Sequence, residues 1–121
     1  MSMRMIEGSR PVPCSTVTAG TLTIRWLAGR RGLLLDGEAD INSRSVLRGA
    51  LRALLFDGPG EIHLDLAGLT FIDVSCTREL VTLTQFPHRA RVILHNPPRS
   101  LQRIITLACP DTSIELASAR D

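Results

Sequence analysis

The sequence predicts a single small α/β domain: one mixed β-sheet with flanking helices, in the order β-β-α-β-α-β-α-β. Three observations lead there. The chain has 121 residues, the length of one ordinary domain. Segments with an apolar residue at every second position alternate with segments in which apolar residues recur at intervals of three and four. Gly- or Pro-containing junctions punctuate the sequence between most of them. Composition agrees, since 44% hydrophobic and 21% charged residues describe a folded chain rather than a disordered tail or a fibre. A chain this long buries roughly two-thirds of its unfolded surface, so its core needs neither disulfide nor metal.

Residues 1–19 mix Gly, Ser, Thr and two prolines, Pro11 and Pro13, without a period, and are expected to form a flexible tail ahead of a domain over 20–121. From Thr21, the apolar Leu22, Ile24 and Trp26 alternate with Thr21, Thr23 and Arg25, a half-buried strand. Gly29–Gly32 makes a turn into a short strand at Leu33–Leu35, completing a hairpin. After Gly37-Glu38-Ala39-Asp40 a helix is expected, capped by Asn42 or Ser43, with Leu47, Leu51, Leu54 and Leu55 on one face. Asp57-Gly58-Pro59-Gly60 stops it.

Ile62, Leu64 and Leu66 then alternate with Glu61, His63 and Asp65, a strand with one apolar and one polar face. A connection over Gly68–Asp73 leads to a second helix from about Ser75, with Cys76, Leu80, Leu83 and Val81 inward, ended by Pro87. Arg91–His95 is a further strand. Asn96-Pro97-Pro98 suits a helix start, and Leu101, Ile104, Ile105 and Ala108 fall on one helical face. Pro110 closes that helix before a last short strand at Ile114–Ala117. Strands joined through helices run parallel with right-handed crossovers. The polar half of Ile62–Leu66 indicates that helices cover one face of the sheet better than the other.

Several function classes drop out. A net charge of +2 is too small to draw a nucleic-acid partner by bulk electrostatics, and 3% aromatics with no Tyr leaves little for base stacking. No apolar run nears the roughly 20 residues of a membrane span. Cys14, Cys76 and Cys109 are an odd, dispersed set without a C-x-x-C pair, so neither disulfide framework nor zinc site is expected, and a reducing, cytoplasmic setting fits. The opening residues lack the apolar stretch of a signal peptide, and Cys14 is not preceded by one, against a lipid anchor. All 14 basic residues are Arg.

No phosphate-loop, dinucleotide, zinc-protease or nucleophile-elbow motif occurs, and no enzyme, cofactor or metal is expected. His63, His88 and His95 stand apart in sequence. His63 and Asp65 share a strand face, which suits either a general-base pair or, more simply, a solvated surface. Cys76 at a helix start has the position of an activated thiol, yet it also begins an apolar stripe, the place of a buried structural cysteine. Arg44, Arg48 and Arg52 form a basic stripe, either for an acidic partner or a plain solvated face.

The informative segment is Leu64-Asp65-Leu66-Ala67-Gly68-Leu69-Thr70-Phe71-Ile72-Asp73-Val74-Ser75-Cys76-Thr77-Arg78-Glu79-Leu80. It reads as a strand, a tight connection and a Ser at the mouth of a helix. The free N–H groups and positive dipole end there suit an anion, including a phosphate carried by that Ser. The alternative is a Ser that caps the helix, and spacing leaves the two level.

This segment resembles the phosphoacceptor region of the STAS family, the anti-sigma factor antagonists of bacteria. Leu64-Asp65-Leu66 and Leu69-Thr70-Phe71-Ile72-Asp73 match its strand and approach, and Leu35-Asp36-Gly37-Glu38-Ala39-Asp40 is similar to its upstream Gly-Glu-Leu-Asp box. The likeness covers about Thr21 to Ala117. It implies that Asp73 holds the place of the family's Asp, Ser75 that of the phosphorylated Ser, and Val74 that of a preceding, variable Ser. Cys76 replaces the family's Gly, Thr77-Arg78 a small or apolar pair, and Ala108-Cys109-Pro110 the usual end of the third helix. The function implied is a transcription-regulating protein–protein switch. Asp40, Asp73, Val74, Ser75, Cys76 and Arg78 would dock an anti-sigma factor serine kinase, which would phosphorylate Ser75 and so be released. Two other readings stand beside it: a STAS-like scaffold or sensory adaptor that is never phosphorylated, and a small thiol enzyme or hydrolase using Cys76 or the His63/Asp65 pair.

Overall fold

The computed structural model describes residues 16–57, 60–85, 89–108 and 114–117. Among the described residues, six strands form one sheet: β1 (Thr16–Ala19), β2 (Leu22–Trp26), β3 (Gly32–Ala39), β4 (Glu61–Ile72), β5 (Arg91–His95) and β6 (Ile114–Ala117). Three α-helices among the described residues intervene: α1 (Arg44–Leu54), α2 (Val74–Thr82) and α3 (Arg99–Ala108). The strands lie side by side in chain order. β1–β2 and β2–β3 pair antiparallel, while β3 through β6 run parallel. Because each right-handed crossover steps across the sheet in the same direction, all three helices arrive on the same face. The core lies between: Leu22, Ile24, Leu33, Leu35, Ile62, Leu64, Val92 and Leu94 meet Leu47, Leu51, Leu80 and Leu101, all buried. The expected mixed α/β sheet is present, and the described residues add one strand to the five expected.

That strand is β1. Residues 1–15 of the expected tail lie outside the described residues, but Thr16–Ala19 pair with Leu22–Arg25 instead of belonging to a tail. A two-residue turn joins them, with Gly20 at φ 60° in its first central position, where a type II′ hairpin turn calls for glycine. Thr-Val-Thr is itself β-branched, a local preference outweighed in the sequence by the irregular residues before it.

β3 and β4 are longer than their sequence periods suggest. The pairing runs Leu34↔Asp65, Asp36↔Gly68, Gly37↔Leu69, Glu38↔Phe71, so β4 carries one extra residue at each of two bulges. Each bulge resets the alternation, and Leu66, Leu69 and Ile72 are all buried although three apart. A straight two-residue period cannot represent this, which is why Gly68–Ile72 reads as a connection. The bulges are held locally: the Ala67 N–H donates to Asp65 Oδ1 at 3.1 Å, and Thr70 Oγ1 donates to the Gly37 carbonyl at 3.0 Å. Gly37 takes φ 101°, and a Cβ there would stand 2.1 Å from the Thr21 carbonyl oxygen. Only glycine fits.

α1 buries Leu47, Ala50, Leu51 and Leu54. Ser43 is its N-cap residue, but its side chain makes no capping hydrogen bond. The hydroxyl instead donates to the Asp40 carbonyl at 3.1 Å and accepts from the Asp40 N–H at 3.0 Å, locking the β3–α1 turn. α2 buries Cys76, Thr77, Leu80 and Val81, and α3 buries Leu101 and Ile105. No helix among the described residues is long and apolar enough to cross a membrane.

Candidate functional site

The carboxyl ends of β3 and β4 lie together, because Ala39 pairs with Ile72 and the Asp73 N–H donates to the Ala39 carbonyl at 3.1 Å. Each strand then turns into a helix, β3 through Asp40 into α1 and β4 through Asp73 into α2. The two turns are tied. The Asp40 carbonyl accepts from the Ser43 N–H at 3.0 Å and from Cys76 Sγ at 3.3 Å, so one oxygen joins the start of α1 to the first turn of α2. Asp40, Asp73, Val74, Ser75 and Cys76 thus come to one pole of the molecule, and Arg78 continues exposed along α2.

Asp73 is the N-cap of α2. Its backbone is extended, φ −89° and ψ 176°, and Oδ1 accepts from the Cys76 N–H at 2.8 Å. The same oxygen accepts the Ser75 hydroxyl at 2.9 Å. Burial works to raise the Asp73 carboxyl, but the Cys76 N–H, the Ser75 hydroxyl and the Arg44 charge outweigh it and hold the group below its usual range. The alternative in which Ser75 caps the helix is therefore corrected: Asp73 has that role, and Ser75 sits half-buried in the first helical turn.

Cys76 is fully buried, with its side chain turned inward to the Asp40 carbonyl. The departure from the family's Gly therefore adds no bulk outside, over Ser75. Burial, reinforced by the Asp73 charge, pushes the thiol up to about 12. A nucleophilic thiol needs the opposite shift, so the geometry works against a Cys76 enzyme. Cys14, Cys109 and His88 lie outside the described residues.

The arginine stripe also differs from either sequence expectation. Arg44 Nε and Arg48 Nη2 lie 2.9 and 3.0 Å from Glu79 Oε2, and Arg48 Nε lies 3.2 Å from Oε1. Two of its three arginines thus clamp α1 to α2 through a carboxylate whose side chain is only 11% exposed. Burial works to raise Glu79, but Arg48 and Arg44 outweigh it and hold the carboxyl low. His63 and Asp65 share the uncovered face of the sheet as expected, yet His63 contacts not Asp65 but His95 on the next strand, at 2.8 Å, together with Glu61 and Arg30.

Two residues of the pole escaped the sequence reading. Ile41, 67% exposed, follows Asp40, and Phe71, 48% exposed, precedes Ile72 and Asp73; Val74 is exposed to the same degree as Phe71. Large apolar side chains displayed beside a half-buried hydroxyl and two carboxylates suit a protein-docking surface. The bulges in β4 break its alternation so that Gly68–Asp73 reads as a connection, which gives Phe71 no strand face in the sequence reading.

Comparison with known proteins agrees with this fold. A solved structure of the anti-sigma factor antagonist SpoIIAA, in its unphosphorylated form, is similar with a TM-score of 0.58 at 18% identity. The match covers 81% of this chain and 88% of that one. No curated protein matches. A family model described as "Mlab, STAS domain" matches residues 22–115, from the first residue of β2 into β6. The chain accordingly belongs to the STAS-domain family.

Proposed function

We propose that this domain is an anti-sigma factor antagonist-like regulatory binding module that docks an anti-sigma factor serine kinase through the pole around Ser75. The observation that carries the reading is Ser75 itself: a hydroxyl in the first turn of α2, oriented by Asp73 at 2.9 Å, with Ile41, Phe71 and Val74 exposed at the same end of the sheet. Apolar side chains supply buried area to an interface, while Asp40, Asp73 and Arg78 give it charge and register. The kinase transfers the γ-phosphoryl group of ATP to the Ser75 oxygen, whose proton is lost. The product carries nearly two negative charges beside the Asp73 carboxylate, in a surface built to lose water on docking. Repulsion and desolvation then release the partner, and a tenfold loss of affinity takes only about 1.4 kcal/mol. The setting is bacterial transcription control in the cytoplasm, with no nucleic acid, membrane, metal or cofactor involved.

A second reading, a scaffold or sensory adaptor that is never phosphorylated, draws on the same geometry. Asp73 already caps α2 through the Cys76 N–H, and a phosphate on Ser75 would compete for that helix end. Calorimetric titration against purified anti-sigma factor serine kinases of the host separates the two. The switch predicts that wild type and Ser75→Ala bind alike and that Ser75→Asp binds at least about tenfold more weakly. Equal binding by all three favours the scaffold. Binding by none refutes both.

A further inference from the structure

The face of the sheet opposite the helices carries a polar cluster separate from Ser75. His63 on β4 and His95 on β5 stack with ring centroids 5.1 Å apart, and His63 Nδ1 lies 2.8 Å from His95 Nε2. Arg30, in the β2–β3 loop, brings Nη1 to 3.2 Å from the same His63 Nδ1. A guanidinium only donates, so that nitrogen is unprotonated and accepts. The other His63 nitrogen, Nε2, then carries the proton and donates to Glu61 Oε1 at 3.2 Å, while Arg91 Nη1 donates to Glu61 Oε2 at 2.8 Å. His95 Nε2 must in turn donate to His63. Arg30 and Glu61 together fix the tautomer of His63: a proton on its Nδ1 would remove the acceptor that Arg30 and His95 share, whereas a proton on His95 keeps its Nε2–H donor and sets a second positive charge near Arg30.

We propose that His63, His95 and Arg30 form a proton-operated latch, which holds the β2–β3 loop against the uncovered sheet face when both rings are neutral and releases it when the pair takes up a proton. The loop is pinned by backbone at both ends, the Leu27 N–H donating to the Gly32 carbonyl at 3.0 Å and the His63 N–H to the Arg31 carbonyl at 2.9 Å. Its tip meets the sheet through Arg30, and a cleft of about 210 Å³ lies beneath, lined by Leu27, Ala28, Arg30, Asp65, His95 and Asn96. A proton on His63 Nδ1 sets a cation against Arg30 at the present 3.2 Å. A proton on His95 places the new charge one ring further on. Either weakens the hold on the tip and widens the cleft.

The surrounding charges bear on this balance from every side. Glu61 and Asp65 on β4 favour a protonated pair, whereas Arg30 from the loop and Arg91 on β5 oppose it. Next to the pair, β3 contributes Gly32 and Leu34, and β6 has Ala117 in register with His95 and Glu115 with Ile93. Burial, then the His63 and Arg30 charges, holds His95 below the ordinary histidine value, with Asp65 opposing. With His95 depressed, the stabilisation of the latched form is complete above the unfolded histidine value of about 6.5 and is lost as pH falls below it through the lower value of the folded ring.

The test is an NMR titration of the full chain from about pH 8 to about pH 5, following histidine ring nitrogens and the amides of Ala28, Gly29 and Arg30. The latch predicts the Nε2–H tautomer of His63 at the alkaline end, and loop amides that shift with the same midpoint as His95. Arg30→Gln removes the opposing cation from an exposed loop without touching the core, and should raise the His95 midpoint. In His63→Gln/His95→Gln the loop amides should no longer titrate. Loop amides indifferent to pH in the wild type, or a His95 midpoint unmoved by Arg30→Gln, would overturn the proposal. Should the double variant fail to fold, Arg30→Gln alone decides.

Discussion

Replacing Asp73 with Ala removes two contacts from one oxygen. The Cys76 N–H, at 2.8 Å, loses its cap, which costs about 1 kcal/mol in comparable helices. The Ser75 hydroxyl, at 2.9 Å, loses its acceptor but can turn to water because Ser75 is only half-buried, so about a further 1 kcal/mol is the ceiling. Asp73→Ala should therefore destabilise the domain by about 2 kcal/mol, or roughly 8 °C in melting temperature for a domain of this size. Asp73→Asn keeps a good capping oxygen and loses only the charge at the helix start, a cost of about 0.5–1 kcal/mol. Urea denaturation followed by circular dichroism measures both. The effect should also depend on pH. The Asp73 carboxyl is depressed in the fold, so its charge-linked contribution is complete above the unfolded value of about 3.9 and fades as pH falls below it. The gap between wild type and Asp73→Ala must then narrow toward about pH 3. An Asp73→Ala variant within about 0.5 kcal/mol of wild type, or an Asn variant as damaged as the Ala variant, would refute the capping argument.

Two further perturbations probe the frame that holds the pole. In a Cys14→Ser/Cys109→Ser background, Cys76 should alkylate slowly at neutral pH and only as fast as the domain opens, because the thiol is buried and pushed up to about 12. Rapid labelling under native conditions, with no acceleration in denaturant, would contradict that placement. Gly37→Ala forces a Cβ to 2.1 Å from the Thr21 carbonyl at a φ of 101°, and should cost about 3 kcal/mol or more by chemical denaturation. A near-neutral result would mean the hairpin does not approach β3 as described.

Much of this arrangement is legible before any coordinate is seen. α1, α2 and α3 carry their apolar residues at helical spacing, and β2 and β5 alternate cleanly, so element type and order follow from periodicity alone. What escapes is whatever breaks a period or acts across it. The bulges in β4 turn a two-residue alternation into a three-residue one, so its second half reads as a connection and the length of the strand is hidden. Asp73 rather than Ser75 caps α2 because the cap must stand outside the helix, a distinction that rests on one residue of backbone geometry. Glu79 captures Arg44 and Arg48 from another helix, and His95 captures His63 from another strand. Neither pairing has a signature in linear spacing. Asp73 and Ser75 remained readable because strand, cap and helix start are consecutive in the chain.

The central claim is that Ser75 presents a hydroxyl that another protein grips and a kinase modifies. Intact-mass spectrometry of the chain, after incubation with the host's purified anti-sigma factor serine kinases and ATP, tests it most directly. The account predicts a single added phosphoryl group on the wild type and none on Ser75→Ala. A chain that stays unmodified with every kinase that binds it, or one in which Ser75→Ala is labelled equally, would contradict the claim.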